Sequence, residues 1–109
     1  MKLNIYNRKE IVKTYTAERG DIEFGIVEDV ANAINLDHLK TGSEAEILKV
    51  ALDLVIHSMG TVKEFLRDIF DGITDEEIRH THVNEIVRVV ADVVLMTVAE
   101  LKKGFNVKN

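Results

Sequence analysis

The chain has 109 residues, of which 46% are hydrophobic and 30% charged, and its formal net charge is -5. This length fits one domain, and the composition is typical of a soluble globular protein and too apolar for a disordered one. The acidic balance disfavours binding to nucleic acid, which depends on Lys and Arg, and the absence of cysteine excludes disulfides and thiolate ligands.

The N-terminal segment predicts a β-hairpin over residues 2–16 rather than a signal peptide. Leu3 and Ile5 alternate with polar residues, and the alternation resumes at Val12 after a polar break, as is typical of two antiparallel strands. The stretch MKLNIYNRKE is too polar for a signal peptide, and no apolar run approaches the roughly 20 residues of a membrane helix. A lone hairpin is marginally stable, so we expect it to pack on a helix or pair with another chain.

A change to helical spacing predicts a first helix over residues 22–35. Phe24 and Val27 begin a series of apolar residues at steps of three and four that ends at Ile34. Asp21 could cap the start of this helix, although a glycine lies inside the pattern. The residues NLDHLKTGS that follow are predicted to form a connecting loop.

Three further helices are predicted by one capping signal, a Ser or Thr followed three residues later by Glu. The hydroxyl and the carboxylate of such a box satisfy backbone N–H groups that the helix leaves unpaired, which contributes about 1 kcal/mol. The pairs and the helices they predict are Ser43 and Glu46 for residues 44–58, Thr61 and Glu64 for residues 62–71, and Thr74 and Glu77 for residues 75–80.

The longest predicted helix covers residues 83–103. Apolar side chains follow steps of three and four throughout it, and this period outweighs the strand propensity of its many valines. Lys102 and Lys103 lie where cations complement the helix dipole, and Gly104 is suited to end the helix. The sequence therefore predicts a mainly α fold, a small helical bundle of about five helices with an N-terminal β-hairpin.

The histidines and the carboxylates near them raise the question of a metal site. Glu77, His80 and His82 lie close together, but the two histidines are two residues apart, whereas two zinc ligands on one helix are usually four apart. His57 is expected to interact with the last carbonyl groups of its helix, and His38 lies in the predicted loop. We therefore expect no metal ligands among these residues.

The sequence contains few residues that could form an active site of another kind. No histidine has the neighbouring nucleophile and carboxylate that nucleophilic catalysis needs, and the sequence contains no Gly-rich phosphate-binding loop. We expect no enzyme and no cofactor. Two alternatives stay open: a metal-dependent hydrolase or nuclease accessory that uses His80 and His82 with Glu77, and a small DNA-binding regulator built on the helices of residues 62–80.

The middle of the chain carries more apolar residues than a single buried stripe requires. The helix predicted over residues 44–58 is apolar on most of its sides, and such a helix is hard to cover in so small a domain. Most of these residues are expected to form the core, but part of the apolar surface is expected to bind another protein or copies of this chain. The candidate partner-binding residues are Phe65, Leu66, Ile69, Phe70 and Met96.

Two short motifs add to this interpretation. One is F-G-x-V-E-D at Phe24–Asp29, and the other is G-[IV]-T-x-E-E at Gly72–Glu77, which leads into a terminal helix rich in Val and Ile. With the polar hairpin before them and the very apolar helix between them, these motifs resemble the small tail assembly chaperones of long-tailed bacteriophages of Gram-positive hosts. The resemblance covers most of the chain. Ile26 departs from it, because a Thr or Ser that caps the helix would be expected there.

The resemblance implies a non-enzymatic chaperone that binds and solubilises the tape measure protein, a long helical client prone to aggregation, before tail tube subunits polymerise around it. It also implies a mostly helical fold, self-association along the client, and a location in the host bacterial cytoplasm but not in the mature virion. The physical mode would be the docking of a helix in an apolar groove.

Overall fold

The structure, a computed structural model, describes residues 1–34 and 42–107, the last part of which (101–107) is described by its backbone alone. Within these residues five α-helices follow an N-terminal hairpin, so the prediction of a mainly α fold with a hairpin is confirmed. The elements are β1 (Lys2–Asn7), β2 (Glu10–Thr16), a 3-10 turn (Arg19–Asp21), α1 (Phe24–Ala33), α2 (Glu44–His57), α3 (Met59–Ile69), α4 (Asp75–Arg79) and α5 (Val83–Val107).

The hairpin lies against the helices with one strand and leaves the other in solvent. Leu3 and Ile5 of β1 are buried in the core, whereas β2 is exposed along almost all of its length. Leu3 pairs with Tyr15 and Ile5 with Lys13, and the pairing then shifts by one residue. The extra residue is Val12, which makes a β-bulge in β2 and increases the local twist.

The other elements pack around α5, the longest helix. It contacts α2, α1 and β1, and α3 in turn packs against α2 and α1. At 1.5 Å per residue α5 is about 37 Å long, which accounts for the elongated outline of 51 × 24 × 20 Å. Its buried positions follow the predicted period from Ile86 to Thr97. The buried Thr97 hydroxyl is satisfied because it donates to the carbonyl oxygen of Val93 over 2.8 Å.

Two of the three predicted helix caps are present. The Thr74 hydroxyl accepts the N–H of Glu77 at 3.1 Å, and the Glu77 carboxylate accepts the N–H of Thr74 at 3.0 Å, a complete capping box at the start of α4. The Ser43 hydroxyl accepts the N–H of Glu46 at 3.3 Å and so caps α2. Here the Glu46 carboxylate reaches one residue further back, to the N–H of Gly42 at 2.9 Å.

The third predicted cap is wrong, because α3 begins earlier than Thr61. Its first residue is Met59, directly after α2, and the carbonyl of Ser58 already accepts the N–H of Val62 at 3.0 Å. Thr61 therefore lies inside the helix, where no end group needs its hydroxyl. Gly104 is likewise not a helix stop, since α5 continues through it to Val107. Glycine costs about 1 kcal/mol inside a helix but does not by itself end one.

The first helix also differs from its prediction. Asp21 belongs to the 3-10 turn, and the residue before α1 is Glu23, whose side chain makes no capping hydrogen bond. Phe24, expected on the buried face, is exposed, and Ile26 is buried in its place. The predicted end of this helix at residue 35 and the loop with His38 lie outside the described residues.

The capping box at α4 gives a direct stability test. Replacing Thr74 by Ala is expected to lower the free energy of unfolding by about 0.5–2 kcal/mol, because the N–H of Glu77 loses its acceptor. Thr61→Ala is the matched control and should change stability by less than about 0.5 kcal/mol, since that hydroxyl caps nothing. Urea denaturation followed by circular dichroism measures both. Equal effects of the two substitutions would mean that the box at Thr74 does not hold α4.

Candidate protein-binding surface

The predicted partner-binding residues are mostly in the core. Phe65, Leu66, Ile69 and Phe70 are all buried, with only 1% of each phenylalanine exposed, and Met96 is half-buried. The expectation that the first four face a partner is therefore corrected, because no partner can reach them while the domain is folded.

The hairpin is one reason for their burial. The ring of Tyr15 on β2 meets the ring of Phe70 edge-on, with 6.4 Å between the ring centroids and 60° between the planes. The apolar face of α3 turns toward α1 and α2, and its charged residues turn to solvent. The charged residues of α3 thus mark its outer, solvent-facing side.

An exposed apolar surface lies instead on α2. Leu48, Leu52 and Ile56 are four residues apart, so they share one side of the helix, and they are 41%, 46% and 61% exposed. Leu95 of α5 is 41% exposed and lines the same groove as Leu48. These four residues are called the α2–α5 strip. Its signal is present in the sequence as a second apolar row with a period of four, beside the row that α2 buries.

A groove between α2 and α5 borders the strip at Leu48 and Leu95. It is an open depression of about 520 Å³ that is lined by both aliphatic and charged residues. Among these, Asp92 also pairs with Arg19, with 3.6 Å between the charged atoms. A groove that combines aliphatic and charged lining residues suits the docking of an amphipathic helix. The lining residues are Gly42, Glu44, Ile47, Leu48, Arg88, Ala91, Asp92 and Leu95.

The residues once considered for a metal site have separate partners. His80 lies 3.2 Å from the Glu76 carboxylate, whereas the ring of His82 stacks on Tyr6 with 3.6 Å between the centroids. Glu77 accepts the Tyr15 hydroxyl at 2.7 Å. In the part of the chain that the structure describes, no three His, Asp or Glu side chains are grouped so that they could hold a metal ion.

His57 is the last residue of α2, and the contact that its side chain makes is with a carboxylate, whereas an interaction with the last carbonyl groups was expected. Its ring nitrogen lies 3.5 Å from the carboxylate of Asp53, one turn earlier on the same helix. Both side chains are exposed, so this pair contributes little to stability.

Glu77 instead connects β2 to the start of α4 through hydrogen bonds and an ion pair. Besides the Tyr15 hydroxyl, its carboxylate has the Lys13 ammonium at 3.4 Å and the N–H of Thr74 at 3.0 Å. The hydrogen bond from Tyr15, with the further help of Thr74 and Lys13, holds the pKa of the Glu77 carboxyl below its ordinary value. A lowered folded pKa means stability that is present above the ordinary pKa of 4.5 and is lost as the pH falls through the folded value.

Glu85 connects the other strand, β1, to the start of α5 through two hydrogen bonds. One carboxylate oxygen accepts the N–H of Asn4 at 3.0 Å, and the other accepts the hydroxyl of Tyr6. His82 lies 4.0 Å from that second oxygen. The hydrogen bond to Glu85 raises the pKa of the Tyr6 hydroxyl. Each strand of the hairpin is thus attached by a tyrosine that donates to a glutamate at the beginning of a helix.

Within residues 1–34 and 42–107, no helix combines the length and the apolar character that crossing a bilayer requires. Comparison of the chain with protein-family models, with curated proteins and with solved structures finds no match.

Proposed function

We propose that this protein is a non-enzymatic assembly chaperone that binds a helical client, and that the client is the tape measure protein of a bacteriophage tail. The α2–α5 strip is the observation that carries the proposal. Its three α2 residues extend over about 12 Å along the helix, a length that matches two turns of an amphipathic partner helix. Two packed helices with an open apolar groove between them are a common receptor for such a helix.

The strip is arranged differently from the scattered apolar residues of an ordinary surface. Single exposed aliphatic side chains need no explanation, but a contiguous row beside a groove marks a site that another molecule covers. A long helical client with an apolar face would aggregate alone, and covering that face with the strip would keep it in solution. The net charge of -5 helps the complex to stay soluble.

The proposal includes the setting that the sequence motifs imply. The five helices form a small bundle whose α2–α5 side stays open to the client. The protein works in the host bacterial cytoplasm, leaves when tail tube subunits polymerise, and is not part of the mature virion. Of the two alternatives, a metal-dependent hydrolase is disfavoured by the separate partners of Glu77, His80 and His82. A DNA-binding regulator is disfavoured by the acidic charge.

The test is a change of the strip that leaves the core intact. The double variant Leu52→Gln with Ile56→Gln is expected to weaken binding of a tape measure fragment about 30-fold or more, because both positions are apolar anchors. Phe24→Gln is the matched control, since it removes an exposed apolar side chain from another helix. Calorimetric titration gives the affinities, and solubility of the fragment on co-expression gives the chaperone effect.

The possible results distinguish an error in the client site from an error in the proposed function. Loss of binding in the double variant, with the control unchanged and circular dichroism normal, supports the proposal. Wild-type binding by the double variant would remove the strip as the client site. Failure of the wild-type protein to bind or solubilise any tape measure fragment would overturn the proposed function itself.

A further inference from the structure

The two outer edges of the hairpin differ in whether their backbone groups are hydrogen-bonded. On the outer edge of β1, the N–H of Asn4 donates to Glu85 at 3.0 Å and the N–H of Tyr6 donates to the carbonyl of His80 at 2.8 Å. The start of α5 and the turn before it therefore cover this edge. No strand can be added there without breaking the attachment of the hairpin.

The outer edge of β2 is open. Successive residues of a strand direct their backbone N–H and C=O groups to opposite edges. Lys13 and Tyr15 are paired with the β1 residues whose backbone groups point toward β2, so their own backbone groups point toward β1. Thr14 and Thr16 therefore direct their N–H and C=O groups away from the hairpin. No segment of the described chain forms hydrogen bonds with this edge. Such a row of unpaired groups is a template for another strand.

Although β2 carries two of the usual guards of an edge strand, the bulge at Val12 and the charge of Lys13, its edge at Thr14 and Thr16 stays open. The strand contains no proline, and its β-branched and aromatic residues favour strand pairing. Ile11 and Val12 are 55% and 59% exposed beside the edge. The ammonium of Lys13, which would otherwise repel a second strand, is held 3.4 Å from Glu77 and 4.6 Å from the centre of the Tyr15 ring.

We propose that β2 pairs with β2 of a second copy of this chain, antiparallel and centred on Thr14, so that two hairpins form one four-stranded sheet. The bulge at Val12 limits the regular part of β2 to Lys13–Thr16. Pairing centred on Thr14 uses Lys13–Tyr15 of this part and places Lys13 opposite Tyr15 of the second copy, on both sides of the axis. Pairing centred on Lys13 would place two ammonium groups opposite each other, which is unfavourable.

A second copy suits this edge because the strand complements itself. Among residues Lys13–Tyr15 of the Thr14-centred register no like charges meet, and each Lys13 lies opposite a Tyr15 ring of the other copy, a ring type that its ammonium already contacts within its own chain. A two-stranded hairpin is marginal, whereas a sheet of four strands on helices is not. This edge is separate from the α2–α5 strip, so the inference does not depend on the proposed client.

The experiment places charges at the axis of the proposed pair. Thr14→Lys is expected to raise the dissociation constant of the wild-type dimer about fivefold or more, because the two lysines lie opposite each other. Thr14→Val is the control that keeps the branched side chain without charge. Thr14→Glu alone should weaken the dimer as Thr14→Lys does, and an equimolar mixture of the two variants should restore it. Sedimentation equilibrium measures association, and circular dichroism verifies that each variant is folded.

Three results of the association measurements would overturn the proposal. One is a wild-type protein that stays monomeric throughout the concentration range, and another is undiminished association of Thr14→Lys. The third is a mixture of the two charged variants that does not recover the dimer. Hydrogen exchange gives an independent readout, since the amides of Thr14 and Thr16 should exchange more slowly as concentration rises. Protection only when another protein is added would assign the edge to a foreign strand and also overturn pairing between copies.

Discussion

Phe65→Ala is expected to lower the free energy of unfolding by about 3–5 kcal/mol, and Phe70→Ala by a similar amount. Both rings are almost completely buried, so truncation removes their packing and leaves a cavity that a rigid core fills only in part. A domain of this size has a total stability of roughly 5–15 kcal/mol, and either variant is therefore expected to be marginally folded at room temperature.

Leu52→Ala is the control for this comparison, because it shortens a large apolar side chain that is half exposed on α2. It should change stability much less than either phenylalanine variant. Chemical denaturation gives the three values, and light scattering reports association. A Phe65→Ala protein that keeps its denaturation midpoint but loses association would return this residue to a binding role and would contradict its place in the core.

The phenylalanines illustrate what periodicity can and cannot predict. Residues at steps of three and four predict that Phe65 and Ile69 share one face of a helix, and they do. Periodicity does not say which neighbour covers that face. In the structure, the hairpin reaches over the end of α3 through Tyr15, and this contact joins residues that are 55 positions apart in the chain, from Tyr15 to Phe70. No local pattern contains that information.

The same distinction applies to α2. Its sequence is apolar on most sides, and this correctly indicated that part of its surface would not be covered. The division between the buried row and the exposed Leu48, Leu52 and Ile56 depends on where α5 and α3 lie. Spacing alone made both rows equally suitable for the core, because each has helical periodicity.

Of the three helix starts predicted from a capping pattern, two were correct and the one at Thr61 was not. Ser43 and Thr74 make the expected hydrogen bonds. The pattern at Thr61 is equally good, but α3 starts earlier because the backbone turns directly from α2 at Ser58 without a side-chain cap. A capping pattern inside a helix is indistinguishable in sequence from one at its start, which explains the error.

Replacing Glu85 by Ala is expected to lower the free energy of unfolding by about 2–3 kcal/mol. The substitution removes the acceptor for the Asn4 N–H and for the Tyr6 hydroxyl, and only 16% of the Glu85 side chain is exposed. Hydrogen bonds to a charged, partly buried group contribute more than neutral ones, and donors left without a partner add their own cost. Chemical denaturation measures the loss.

The effect should also be local, because Glu85 is the main polar link between β1 and α5. Hydrogen exchange of the amides of Leu3 and Ile5 should accelerate more than that of Val93 in the middle of α5. Glu64→Ala, which removes an exposed carboxylate of α3, is the control and should leave both rates unchanged. Tyr6→Phe should reproduce only part of the loss, since the Asn4 N–H keeps its acceptor.

An alkaline titration distinguishes the hydrogen bond between Tyr6 and Glu85 from the apolar packing of the hairpin. The raised pKa of Tyr6 means that its hydrogen bond stabilises the fold below the ordinary pKa of 10.0, and that this contribution is lost as the pH rises through the folded value. Wild-type stability should therefore fall above about pH 10, and Tyr6→Phe should show a shallower fall. Uniform acceleration of exchange in Glu85→Ala, with an unchanged alkaline profile in Tyr6→Phe, would mean that apolar packing of Leu3 and Ile5 alone holds the hairpin to the helices.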